Sequence, residues 1–121
     1  MKAIIDSTRF GSITVDGNKF DHDIIISLNG TVTKRKKKLS KEVYGTSHIV
    51  SLREAEFIYE EGAEQIIVGS GQYGALKLSE EAAGFFKDKN CIVELHPSPY
   101  AGEKWNTLQE KNCLGLFHVT C

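Results

Sequence analysis

The second half of the sequence alternates short apolar runs with amphipathic stretches, and that rhythm leaves few folds open. Gln65-Ile66-Ile67-Val68, Cys91-Ile92-Val93-Glu94-Leu95 and Leu114-Gly115-Leu116-Phe117-His118-Val119 read as strands. Short, near-continuous runs of this kind suit strands covered on both faces. Between them, Ser79 caps a helix whose inner stripe is Ala82, Ala83 and Phe86. Ser98-Pro99 opens a second helix, with Ala101, Trp105 and Leu108 facing inward. Its proline stands where the missing N–H costs nothing. Strand, helix, strand, helix, strand predicts parallel pairing with right-handed crossovers. A further helix precedes the set: Ser51 and Glu54 have capping-box spacing, Leu52, Ala55, Ile58 and Tyr59 form its stripe, and Gly62 is the expected stop.

The first half has a different rhythm. Phe10, Ile13 and Val15 are broken by Gly11 and Gly17, and Asp16-Gly17-Asn18 and Asn29-Gly30 are hairpin turn signals on either side of the apolar Ile24–Leu28. These hairpins must form an antiparallel layer or extend the sheet. The chain of 121 residues has material for one core and shows no linker or repeat. The expectation is one three-layer α/β domain over residues 1–121.

The net charge of −1 conceals an asymmetry. Lys34, Arg35, Lys36, Lys37, Lys38 and Lys41 crowd into one short window, leaving 9 basic against 16 acidic residues elsewhere, a balance of −7. No apolar run approaches the roughly 20 residues needed to cross a bilayer. The opening Met1-Lys2-Ala3-Ile4-Ile5-Asp6 is too short and too soon interrupted to read as a signal peptide. Three cysteines (Cys91, Cys113 and Cys121) make no Cys-x-x-Cys pair, so reduced thiols in a cytosol are expected rather than a disulfide frame. A cytoplasmic protein without membrane attachment follows as an expectation.

Several segments carry a resemblance. Phe10-Gly11-Ser12-Ile13-Thr14-Val15 with Gly17 and Asp23, Gly45-Thr46-Ser47-His48, and Glu61-Gly62-Ala63-Glu64-Gln65-Ile66-Ile67-Val68-Gly69-Ser70-Gly71 are among them. Ala75-Leu76-Lys77-Leu78, Asn106 and Phe117-His118-Val119-Thr120-Cys121 complete the set. Together they resemble the small Mth-domain family, which includes an adipogenesis-associated protein and a mitochondrial complex I assembly factor. The lysine-rich segment is of the archaeal type. The resemblance implies a mixed central sheet with helices against it and an additional antiparallel β layer. It implies no reaction; some members assemble or regulate other proteins.

Gly69-Ser70-Gly71-Gln72-Tyr73-Gly74 spells G-x-G-x-x-G after a strand, with Glu94 following at about the spacing of a ribose-binding carboxylate. Ala75-Leu76-Lys77-Leu78 intervenes before the next helix, however, so no helix N-terminus would face a phosphate. What survives is a weaker reading, in which N–H groups of Gly69, Ser70 and Gly71 form a nest for a small anion, helped by Lys77. The loop after Glu94 should lie beside it at the carboxyl edge of the sheet, where ligands of open α/β sheets bind. Candidate ligand-binding residues are therefore His48, Gly69, Ser70, Gly71, Lys77, Glu94 and His96. The bland alternative is a pair of surface turns with polar tips.

An enzyme reading would need His48, Ser70, Glu94 and His96 to converge in one cleft. No five-residue nucleophile elbow surrounds Ser70. His118 alternates with apolar neighbours and reads as a hydrogen-bonded structural histidine, and no His/Cys spacing suggests a metal. No cofactor is implied. The basic run, Lys34, Arg35, Lys36, Lys37 and Lys38, is a candidate contact for nucleic acid or an acidic partner. Without interleaved aromatics nucleic acid is the weaker choice; a solvated connection or guarded edge strand is the plain alternative. The leading functional expectation is a non-enzymatic protein-binding or assembly-type domain, with enzymatic and nucleic-acid roles as alternatives.

Overall fold

The computed structural model describes residues 3–108 and 112–121; Met1 and Lys2, which open the segment weighed as a signal peptide, lie outside the described residues. Strands β1 (Ile5–Arg9), β2 (Ser12–Val15) and β3 (Asn18–Phe20) form a three-stranded antiparallel sheet, with the Asp16-Gly17 turn joining the last two. A second hairpin, β4 (Ile24–Ile26) and β5 (Val32–Lys34), is closed where Asn29-Gly30 predicted it.

The basic run follows, weighed as a solvated connection or guarded edge strand: Lys34 ends edge strand β5. The run then enters helix α1 (Lys38–Tyr44), ended by Gly45. Strand β6 (Ile49–Val50) then leads into α2 (Leu52–Ile58). Ser51 caps α2 as its spacing suggested, accepting from the Glu54 N–H at 3.1 Å. The helix ends at Ile58, well before Gly62.

The rest alternates as the sequence requires: β7 (Gln65–Ser70), β8 (Lys77–Leu78), α3 (Glu80–Asp88), β9 (Ile92–His96), α4 (Ser98–Thr107) and β10 (Cys113–His118). Short β8 pairs in parallel with β6, a ladder that neither segment's pattern announces. The five-stranded central sheet has the order β5-β4-β10-β7-β9, with β10, β7 and β9 parallel and β4 and β5 antiparallel.

Alternation along the strands divides the core in two. Ile66, Val68, Leu114, Leu116 and Ile25 face one way, packing with Ala55 and Ile58 of α2 and Ala82 and Phe86 of α3. Ile67, Phe117, Ile24 and Ile26 face the other, against Ala101 and Trp105 of α4 and against Ile5, Ile13 and Val15 of the three-stranded sheet. That sheet is the additional β layer. Asn106 of α4 joins the layers as a strand would: it accepts from the Ile5 N–H at 2.9 Å and donates to the Ile5 carbonyl at 2.8 Å. No helix among the described residues is long and apolar enough to cross a membrane.

Candidate functional site

The carboxyl ends of β7 and β9 do lie side by side, yet the recess expected between them is filled by the chain itself. Ser98 clasps the glycine loop: its N–H donates to the Gly71 carbonyl at 2.9 Å, and its Oγ accepts from the Gly71 N–H at 2.9 Å. The same Oγ donates to the His118 carbonyl at 2.6 Å. Ser98 therefore ties three strand ends together instead of capping α4.

Beyond Gly71, the N–H groups of Gln72, Tyr73 and Ala75 donate to the carbonyls of Thr120 and Cys121, and that of Gly74 donates to Gly71. Of the donors proposed for an anion, the Gly71 N–H is engaged by Ser98 Oγ, and Gly69 and Ser70 belong to the β7 ladders, which counts against the nest reading. The glycines answer packing needs. A Cβ on Gly69 would sit 2.6 Å from Phe117 Cδ2. Gly71 has φ +97°, and a Cβ there would meet the Cys121 carbonyl carbon at 2.3 Å. α3 starts only at Glu80, after β8, so its N-terminus does not face the loop; the helix N-terminus that meets it is that of α4, whose Ser98 N–H is spent on the Gly71 carbonyl.

Nor do the four residues of the enzyme reading converge. Register places Ser70 beside His118, and His96 beside Gly69. Because strand side chains alternate, Ser70 lies on the α2/α3 side of the sheet while Glu94 and His96 lie on the α4 side. His48 joins the first group through an edge-to-face contact with His118, ring centroids 5.2 Å apart. Lys77 is exposed, its N–H held by the His48 carbonyl at 2.9 Å. On the far side Glu94 takes a hydrogen bond from Gln65 Nε2, lies 3.3 Å from His96 Nε2 and 3.8 Å from Lys104 Nζ.

The polar residues that the fold gathers most tightly are others. Asp23 precedes β4 and Arg35 follows β5, so the hairpin brings them face to face; the Arg35 N–H donates to the Asp23 carbonyl at 3.0 Å. The Arg35 guanidinium is buried, its residue 3% exposed. It donates to Asp23 Oδ2 at 2.9 Å, to both oxygens of Glu54 on α2 at 2.6 and 3.0 Å, and to the Ser47 carbonyl at 2.8 Å. Ser40 of α1 also donates to Glu54. Asp23 in turn accepts from the Val119 N–H at 2.9 Å and lies 2.8 Å from His118 Nδ1. His118 Nε2 meets Thr120 Oγ1 at 3.2 Å.

Burial works against the charge on Asp23, but hydrogen bonds from His118, the Val119 N–H and Arg35 outweigh it and hold the carboxyl down to about 2. Arg35 pays a burial penalty of the same kind, which Glu54 and Asp23 overcome, leaving its affinity for its proton raised. Asp23 and His118 are each 1% exposed, and a general base must come within hydrogen-bond reach of its substrate. Closed in this way, the arrangement clamps β4, β5, α1, α2 and β10 together. It has no open side on which to act as base.

Arg35 must accordingly be withdrawn from the basic contact surface. The lysines around it remain outside: Lys34, Lys36 and Lys38 are exposed, and Lys37 is half-buried with its Nζ 3.9 Å from Asp23 Oδ2. They frame an open recess of about 510 Å³. Lys36 Nζ sits 5.8 Å from the ring centre of exposed Phe57. Cys91 and Cys113 are buried, and burial pushes the Cys91 thiol up to about 11, far from a reactive thiolate. Among the described residues no group of three or more His, Cys, Asp or Glu side chains is placed to hold a metal ion.

The same Asp23, His48, Gly69, Gly71 and His118 that build these contacts lie within a recognised sequence family. Residues 5–118 match the family described as protein of unknown function (DUF498/DUF598). The chain belongs to that family. A conserved hypothetical protein of Pyrococcus horikoshii is 38% identical over the whole of both chains, with a TM-score of 0.89. The protein named MT938 is 33% identical over 99% of this chain and all of its own, with a TM-score of 0.83. A Bordetella pertussis protein described as a Mth938-like domain shares the fold at 16% identity, covering 97% of this chain and 85% of its own, with a TM-score of 0.62. No curated protein matches. The resemblance drawn from the sequence is borne out: this is an Mth938-like member of DUF498/DUF598.

Proposed function

We propose that the chain is a protein-binding domain of assembly type, which takes an acidic, partly apolar segment of a partner on the lysine ledge before and within α1. One observation carries this reading: Arg35 turns inward and is locked by Asp23, Glu54 and the Ser47 carbonyl, so its lysine neighbours are displayed from a rigid frame. Like charges held this close favour a partner that neutralises them. Exposed Phe57 beside Lys36 and exposed Val43 and Leu52 on α1 and α2 add apolar surface of the kind a peptide covers. The remaining surface is acidic, which disfavours a long polyanion such as nucleic acid.

A fluorescent peptide of alternating Glu and Leu, followed by anisotropy, tests the idea. Wild-type protein is expected to bind it, with affinity falling as salt rises. The triple variant Lys34→Gln, Lys36→Gln, Lys38→Gln should bind roughly tenfold more weakly or worse, with its near-UV circular dichroism unchanged. Absence of wild-type binding, indifference to the triple substitution, or tighter binding of a single-stranded oligonucleotide of equal length would each reject the reading.

A further inference from the structure

The central sheet ends differently at its two margins. At one, β5 ends on exposed Lys34 with exposed Lys36 just beyond it, and charges of this kind discourage another strand from pairing. At the other, β9 has β7 on one side and, among the described residues, no strand on its outer side. The outer strand itself contains no lysine, arginine or proline, and it displays Ile92 at 61% and Leu95 at 41% exposure. A groove of about 560 Å³, lined by Ala83, Lys87, Asn90, Cys91, Ile92 and Val93, runs between this margin and α3.

Hydrogen-bond direction fixes which residues offer themselves. The Ile92 N–H donates inward to the Glu64 carbonyl at 3.0 Å. Alternate residues Ile92, Glu94 and His96 therefore bond toward β7, and Val93 and Leu95 turn their N–H and C=O groups outward.

We propose that a second copy of this chain docks here, β9 against β9 in antiparallel fashion about a two-fold axis at Leu95. Charge decides both the occupant and the register. With the axis at Leu95, each Glu94 stands opposite the partner's His96, and the two Leu95 side chains cover one another. With the axis at Glu94, two carboxylates would oppose each other directly, which destabilises a ladder. With the axis at Val93, Glu94 would face Ile92 and find no complement. The strand is thus complementary to itself in one register, as an isologous two-fold contact requires. The inward partners of Glu94, namely Gln65, His96 and Lys104, all lie on the α4 side and leave the outer backbone untouched.

Sedimentation equilibrium over a wide concentration range reads the assembly. The expected result is a reversible doubling of mass for the wild type. Leu95→Lys, an exposed position, should weaken dimerisation by roughly tenfold or more while the urea midpoint stays unchanged. Leu95→Cys, in a Cys121→Ser background, should oxidise to a covalent dimer, because residues on such an axis approach within disulfide range. A wild-type chain that stays monomeric at millimolar concentration overturns the proposal, even if it captures an apolar strand peptide. A dimer that survives Leu95→Lys, or that fails to cross-link through position 95, overturns it as well.

Discussion

Without the Arg35 guanidinium, the carboxylates of Asp23 and Glu54 would share a buried site with no strong cation between them. Arg35→Met should therefore destabilise the protein by about 3–5 kcal/mol, the usual cost of orphaning a buried charge. Arg35→Lys should recover only part of that loss, since an ammonium cannot serve Asp23, both Glu54 oxygens and Ser47 at once; urea unfolding of the two variants decides it. Asp23 adds a pH signature. Its carboxyl falls from the ordinary 3.8 to about 2 on folding, so its contribution is complete above about pH 4 and is lost as pH falls toward 2. The amount is about 2 kcal/mol, visible as a urea midpoint that drops across that window and drops less in Asp23→Asn. In the sequence, Asp23 stood out only through the family resemblance, and Glu54 was absorbed into its capping box. Arg35 left one faint mark: it is the lone arginine in a lysine run, and arginine is the cation suited to buried, forked pairing.

Among the elements, the loop after β7 shows how a motif can be read correctly as geometry and still mislead about chemistry. Its glycines do permit close backbone approach, but what approaches is Phe117, Ser98 and the Thr120–Cys121 segment. Gly69→Ala should thus cost about 1–3 kcal/mol through overpacking against Phe117. That loss should appear in urea unfolding whether or not any anion is present, whereas a loss seen only with phosphate added would revive the ligand reading. Apart from β8, the strands and helices from Ser51 onward were legible because their apolar periods are unbroken. Helix α1 was not, since a run of lysines carries no apolar period and its buried Ser40 looks like any polar residue. The β6–β8 ladder was equally silent: two-residue strands are too short to have a pattern.

At the level of the whole molecule, parallel pairing could be inferred from the order of elements, because crossovers admit few arrangements; order left the hairpins free to form a layer or extend the sheet, and the extra β layer was implied by the resemblance. What order alone could not supply was the side of the sheet on which each polar residue falls. One residue of register separates Gly69 from Ser70, and with it the Glu94–His96 pair from the Asp23–His118 clamp. Charge was legible as a window of lysines, but the division of that window into one buried cation and an exposed ledge depends on tertiary packing.

The position of β10 has a consequence for how the molecule is made. It is the last element in chain order, yet it lies between β4 and β7 and supplies His118 and Val119 to Asp23, 95 and 96 residues earlier. A nascent polypeptide emerging from the ribosome can form its early hairpins and its β7–β9 unit, but these stay two separate pieces with unfinished margins until the final strand slides between them. Completion of the fold therefore waits for β10 to be made, and such long-range closure is slow. Partly made chains would expose the two flanks of that missing strand, the surfaces most in need of a chaperone's protection.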